Sequence, residues 1–225
     1  MKEELIDYLK QFVFDRRIEL FENVIQNRTK YITVVLEDIF QAHNASAVLR
    51  TAECFGIQDV HIIENRNQYT ISPDVALGSS KWINLKKYNK HENNTLTAIN
   101  ALKEKGYRIV ATTPHTNDTD LENFDLTKGK AALFFGTEQY GLSQIMINHA
   151  DEYLKIPMHG FTESFNISVS AAIILHHLTH KLRQTNIDWK LTEPERNEIL
   201  FQWLKRSVKK SDMLIEKFLS QKNDI

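Results

Sequence analysis

The 225-residue sequence contains a single cysteine, Cys54, so neither a disulfide within the chain nor a thiolate zinc site can form. Glycine is scarce, with seven residues. Neither G-x-x-x-x-G-K nor G-x-G-x-x-G occurs, which argues against a nucleoside triphosphate or a Rossmann dinucleotide as ligand. A G-x-S-x-G nucleophile elbow is missing as well. No apolar run approaches the roughly 20 residues of a membrane helix, and the opening "MKEELIDYLK" is acidic where a secretory leader would be basic and then apolar. The expectation is a cytoplasmic protein without membrane contact, in which sequons such as Asn27-Arg28-Thr29 carry no glycan. Charge of one sign is not in excess either. The 28 basic and 29 acidic residues leave a net charge of -1, which argues against a protein that coats nucleic acid nonspecifically.

What is present is the composition of an ordinary globular protein, 42% apolar and 25% charged, in a chain long enough to bury a substantial core. Residues 3 to 27 place Leu5, Tyr8, Leu9, Phe12, Ile18, Phe21 and Ile25 at helical spacing, which predicts one or two amphipathic helices. "YITVVLE" at 31–37 is short and β-branched, as in a buried strand. A helix follows, with Asn44 as its expected cap and Gly56 as its stop, and "VHIIE" at 60–64 is a second strand. The alternation continues with strands at "WINLKKY", "YRIVATT", "AALFF" and "YLKI". Helices are expected at 94–105 and 143–149, then from Asn166 to Thr185, and a last helical segment follows "NIDWKLTEPERNE". Such alternation predicts an α/β fold, a mostly parallel sheet with helices on both faces, whose ligands bind in loops at the carboxyl ends of the strands.

Three loops that follow predicted strands hold candidate chemistry. In "DIFQAHNASAVLR", Asn44 opens a helix and Arg50 lies six residues further on. In "FFGTEQYGLS", Gly136 and Gly141 bracket the Glu138 carboxylate. In "IPMHGFTESFNISVSAAIIL", Gly160, Ser164 and Asn166 place small and hydrogen-bonding groups between a strand and a helix. His176 and His180 lie one helical turn apart, but no third ligand accompanies them, so they read as packing or surface residues and no metal is expected.

"HNASAVLRTAECFGI", "LFFGTEQYGLS" and "IPMHGFTESFNISVSAAIIL" resemble, in order, spacing and core residues, the three motifs of the SPOUT superfamily of RNA methyltransferases, and specifically its TrmH-type tRNA guanosine 2′-O-methyltransferases. The resemblance covers about residues 31–185. It implies a C-terminal trefoil knot, S-adenosylmethionine bound bent within the knot loops, and a homodimer in which each site borrows residues from both subunits. It also implies a domain division into an N-terminal helical extension (1–28), a methyltransferase domain (29–186) and a C-terminal helical extension (187–225). Carried over residue by residue, the cofactor positions are Thr112, Gly136, Ile156, Met158, Ser164, Phe165 and Asn166, with phenylalanine at 165 where leucine is usual. Arg50 is the counterpart of the catalytic arginine, and Asn44, Glu138 and Asn166 complete the site.

A ribose 2′-hydroxyl must lose its proton while aligned with the bond to the departing methyl group. Arginine is too weak an acid to serve readily as the base, so Arg50 is expected to clamp the oxygen and adjacent phosphate instead. The implied partner is RNA, the D-loop guanosine of tRNA first and ribosomal RNA second. Arg16, Arg17, Arg28, Lys181 and Arg183 stand where similar enzymes carry RNA-gripping arginines. Two other readings compete: a noncatalytic RNA-binding module that keeps the fold, and a small-molecule α/β enzyme. The joint presence of Asn44, Arg50, Glu138 and Asn166 favours the methyltransferase.

Overall fold

The computed structural model describes residues 1–70, 72–114 and 118–223. The last two residues of the expected C-terminal extension therefore lie outside the described residues. The helices are α1 (Lys2–Lys10), α2 (Asp15–Ile25), α3 (Ala42–Cys54), α4 (Pro73–Ala76), α5 (Asn94–Lys103), α6 (Gln144–His149), α7 (Ile167–Arg183), α8 (Glu193–Ser207) and α9 (Ser211–Asn223). The strands are β1 (Ile32–Glu37), β2 (Asp59–Ile63), β3 (Asn84–Tyr88), β4 (Arg108–Thr112), β5 (Thr119–Asp120), β6 (Ala131–Phe135) and β7 (Glu152–Lys155). By compactness the chain divides into two units, residues 1–28 together with 190–225, and residues 29–189.

The unit of residues 29–189 is built on one seven-stranded sheet in the order β3-β2-β1-β6-β4-β7-β5, with every neighbouring pair parallel. β1 is buried at all six residues and β6 at all five. This is why both sequences read as unbroken apolar runs rather than alternating ones: each face of a central parallel strand meets a helix layer. Successive side chains nevertheless go to opposite faces. Val34, Leu36, Val60, Val110, Leu133 and Phe135 enter one core, which α3 (Ala45, Val48, Leu49, Ala52) and α7 (Ala171, Ile174, Leu175, Leu178) cover. Val35, Ile63, Ile109, Ala111, Ala132 and Phe134 enter the other, covered by α5 (Ala98, Ile99, Leu102) and by Met146 of α6. α3 stops where Gly56 takes a left-handed φ of 81°, a conformation that a side chain would resist.

In the unit of residues 1–28 and 190–225, α1 packs on α8 and α9, and α2 packs on α8. Phe21 and Trp203 meet with ring centroids 5.5 Å apart. α8 starts with Thr192, whose backbone N–H donates to Glu195 Oε2 at 2.9 Å, the reciprocal arrangement that spares a helix start its unpaired donors.

Candidate active site

β1 and β6 are neighbours, and β6 is followed across the sheet by β4 and β7. Parallel strands end on the same side, so the loops after β1, β4, β6 and β7 emerge side by side although they are far apart in sequence. Asn44 from the first turn of the helix after β1, Glu138 from the loop after β6 and Asn166 from the end of the loop after β7 meet. Asn44 Nδ2 donates to Glu138 Oε1 at 2.7 Å, Asn166 Nδ2 donates to the same oxygen, and Asn166 Nδ2 also lies 3.3 Å from Asn44 Oδ1.

Asn44 is not the helix cap that the sequence suggested. α3 starts two residues earlier, at Ala42, with Gln41 in the cap position. Asn44 is thus inside the first turn, buried, and its amide also donates to Gln41 Oε1 at 3.0 Å. The side chain is drawn off by Glu138, 94 positions away, rather than by its own backbone. Asn166, in contrast, is the N-cap of α7, accepting from Ser168 N at 2.8 Å and Ser168 Oγ at 2.6 Å. Its Oδ1 therefore starts a helix while its Nδ2 faces the carboxylate.

The Glu138 loop is folded tightly. Thr137 N donates to Gly141 O and Gly141 N to Thr137 O, both at 2.9 Å. A Cβ at position 136 would stand 2.2 Å from Gly141 backbone atoms, so only glycine fits there. The loop borders a cleft of about 620 Å³ whose lining includes Glu37, Asp38, Asn44, Arg66, Glu138 and Tyr140. Phe40 and Tyr140 also line it, 78% and 77% exposed. Of these, Glu37, Asp38, Phe40, Arg66 and Tyr140 had not been singled out from the sequence. The acidic pair at the end of a fully buried strand, Glu37 as its last residue and Asp38 directly after it, was the available signal. Asp38 holds a left-handed φ of 53° and accepts from Asn65 N at 2.6 Å and Arg66 N at 2.9 Å, which ties the end of β1 to the loop after β2.

Thr112 Oγ1 donates to Phe134 O at 2.7 Å, linking the ends of β4 and β6. Ile156 and Met158 are half-buried, whereas Ser164, Phe165 and Asn166 are exposed. Arg50 is exposed too. Its side chain makes no hydrogen bond or ion pair among the described residues, and it does not line the cleft on its own chain. The fold therefore brings Asn44, Glu138 and Asn166 together and leaves Arg50 apart.

The candidate RNA-binding residues divide sharply. Arg16 and Arg17 are exposed on α2. Arg28 is corrected: it is 1% exposed, with its guanidinium 5.4 Å from the centre of the Trp203 ring, and offers no surface to a phosphate. Lys181 Nζ donates to the carbonyls of Glu122 and Phe124, at 3.1 and 2.8 Å. Arg183 donates to the carbonyls of Thr179 and Phe55, at 3.2 and 3.0 Å, and lies over the Trp189 ring. Burial lowers its pKa. His176 stacks on His180 with ring centroids 6.2 Å apart, and burial lowers the pKa of His177. Among the described residues no three His, Cys, Asp or Glu side chains are grouped as metal ligands would be.

A family model, the SpoU rRNA Methylase family, matches residues 31–176. A tRNA (guanosine(18)-2′-O)-methyltransferase of Borreliella burgdorferi is 47% identical over 204 residues, covering 91% of this chain and 91% of the relative. Among solved structures, the TrmH/SpoU tRNA modifying enzyme of A. aeolicus matches with a TM-score of 0.77 and 26% identity, over 87% of this chain and 98% of the other. A SpoU methyltransferase of Streptomyces viridochromogenes, solved in complex with AdoMet, shares the fold at a TM-score of 0.61 and 20% identity, over 72% and 65% of the two chains.

Proposed function

The chain belongs to the SpoU rRNA methylase family, and from that premise we propose that it methylates a ribose 2′-hydroxyl in RNA from S-adenosylmethionine, with guanosine 18 of the tRNA D-loop as its target. The observation that carries this reading is the meeting of Asn44, Glu138 and Asn166, from three separate segments that follow β1, β6 and β7, at the carboxyl end of the sheet.

The cofactor would be held by Thr112, Gly136, Ile156, Met158, Ser164, Phe165 and Asn166. Two features fit an adenosyl group. The strands β4, β6 and β7, which precede these residues, are consecutive in the sheet. Residues 156–166 lie outside helix and strand, so their backbone N–H and C=O groups are not consumed by a ladder. Bound there, S-adenosylmethionine supplies a methyl group on a sulfonium centre. Glu138, with Oε1 engaged by both asparagine amides, presents its other oxygen to the hydroxyl proton. Arg50, turned to solvent on its own chain, serves the site of a second copy in a homodimer, where its fork holds the 2′-oxygen and the adjacent phosphate. Phe40 and Tyr140 offer rings on which bases stack. Arg16 and Arg17 contact phosphates.

In this reading the late chain is threaded as a trefoil knot. The insertion of β6 between β1 and β4, and of β7 between β4 and β5, supports that threading. No helix among the described residues is long and apolar enough to cross a membrane, and the enzyme works in the cytoplasm without a metal. Incubating the protein with labelled S-adenosylmethionine and unmodified tRNA transcripts, followed by nucleoside analysis, should yield 2′-O-methylguanosine. A methylated base would overturn the mechanism, and labelling of ribosomal RNA alone would move the target.

A further inference from the structure

We infer that Glu37 is a positioning residue for this reaction: by gripping Ser143 it holds the far end of the loop that carries Glu138, and so sets where the Glu138 carboxylate stands. The inference rests on the reading of Glu138 as part of the site given above.

Glu37 is the last residue of β1 and is 2% exposed. A carboxylate in such a place is costly unless its oxygens are satisfied. Three donors satisfy them. Ser143 N reaches Oε2 at 2.8 Å, Ser143 Oγ reaches Oε1 at 2.7 Å, and Thr95 Oγ1 reaches Oε1 at 2.6 Å. Two of the three therefore come from one residue, Ser143, which closes the Glu138 loop. Ser143 Oγ also accepts from Met146 N at 3.1 Å, so the same hydroxyl starts α6.

The near end of the loop is held by the reciprocal Thr137 and Gly141 bonds and by the close approach at Gly136. Between the two ends, residues 138–141 are exposed, and from outside the loop Glu138 is met by the Asn44 and Asn166 amides. Pinning at both ends adds to these two bonds by fixing the backbone from which Glu138 reaches them. Glu37 supplies the far pin from a central strand, the most rigid element available.

Glu37→Gln keeps the shape but removes the charge: with its oxygen toward Ser143 N, its NH₂ meets the Ser143 and Thr95 hydroxyls, which must then accept instead of donate, so the charge-assisted grip on Ser143 is weakened. At saturating RNA and S-adenosylmethionine, kcat should fall about tenfold, because a small misplacement of a reacting group is expensive, while KM for S-adenosylmethionine stays within about twofold. Ser143→Ala should lower kcat in the same way, and the double variant should be no worse than Glu37→Gln alone, the non-additivity of one shared contact. Thr95→Val removes the third donation without touching the loop. It should lower the melting temperature and leave kcat within about twofold.

Should kcat instead follow melting temperature across all three variants, Glu37 is a buried structural group and nothing more. Glu138→Gln, measured in parallel, separates the two levels. Full turnover in Glu138→Gln removes the site reading itself, whereas an inactive Glu138→Gln beside a fully active Glu37→Gln removes only the positioning role. If Glu37→Gln fails to fold, as circular dichroism would reveal, Ser143→Ala decides: unchanged kcat overturns the inference.

Discussion

Asn44 and Arg50 are six positions apart on α3, about 120° apart around the axis at roughly 100° per residue, so they leave the helix in different directions. One is buried against Glu138 and the other looks into solvent. If Arg50 works as a planar clamp, Arg50→Lys keeps the charge and loses the fork, and turnover should drop about 100-fold. Near-normal kcat in single-turnover methyl transfer would remove the bidentate picture. A different side chain sets acid sensitivity. His61 is 3% exposed, with Nδ1 3.1 Å from the Tyr88 hydroxyl. Burial first, then the charges of Lys105 and Lys86, push its pKa from 6.5 down to about 3. Below pH 6.5 the unfolded chain binds a proton at His61 that the folded protein refuses. The stability present above pH 6.5 is therefore lost as pH falls toward 3, by up to about 1.4 kcal/mol per pH unit from this residue. Urea unfolding at pH 7, 6 and 5 should show that slope, and His61→Leu should flatten it relative to the parent.

Between residue and fold stands the loop from Gly136 to Ser143, whose conformation depends on its own short-range geometry. Gly136→Ala places a methyl group where Gly141 backbone already lies. The loop must shift, at a cost of about 1–3 kcal/mol, and Glu138 moves with it. Loss of kcat together with a lower melting temperature is expected; unchanged turnover would show that Glu138 need not stay where the structure places it. Elements of this kind were largely legible. The apolar runs of β1 and β6, the stripe of α3 and the Asn166 start of α7 all announce themselves through period and cap chemistry. β5 does not, because two residues, Thr119 and Asp120, carry no period at all. The start of α3 was misread because an asparagine that looks like a cap was taken by a carboxylate from another loop.

At the scale of the molecule, the proposal that Arg50 serves a second copy predicts complementation. Arg50→Ala and Glu138→Gln should each be nearly inactive. When they are unfolded together at equal concentration and refolded, random pairing leaves half the dimers mixed, with one intact site in each, so about a quarter of parental activity should return. No recovery would mean that each chain completes its own site. Taken alone, the sequence determined most of the longer strands and helices and which loops are rich in small and polar groups, because local periodicity and turn chemistry record what each segment buries. Only the tertiary structure decided that Asn44, Glu138 and Asn166 share one point, that Glu37 grips Ser143, that Arg50 faces outward and that Arg28 lies under Trp203. The physical reason is strand order: β6 enters beside β1 and β7 beside β4, and no local pattern in a chain encodes which distant strand its neighbour will be.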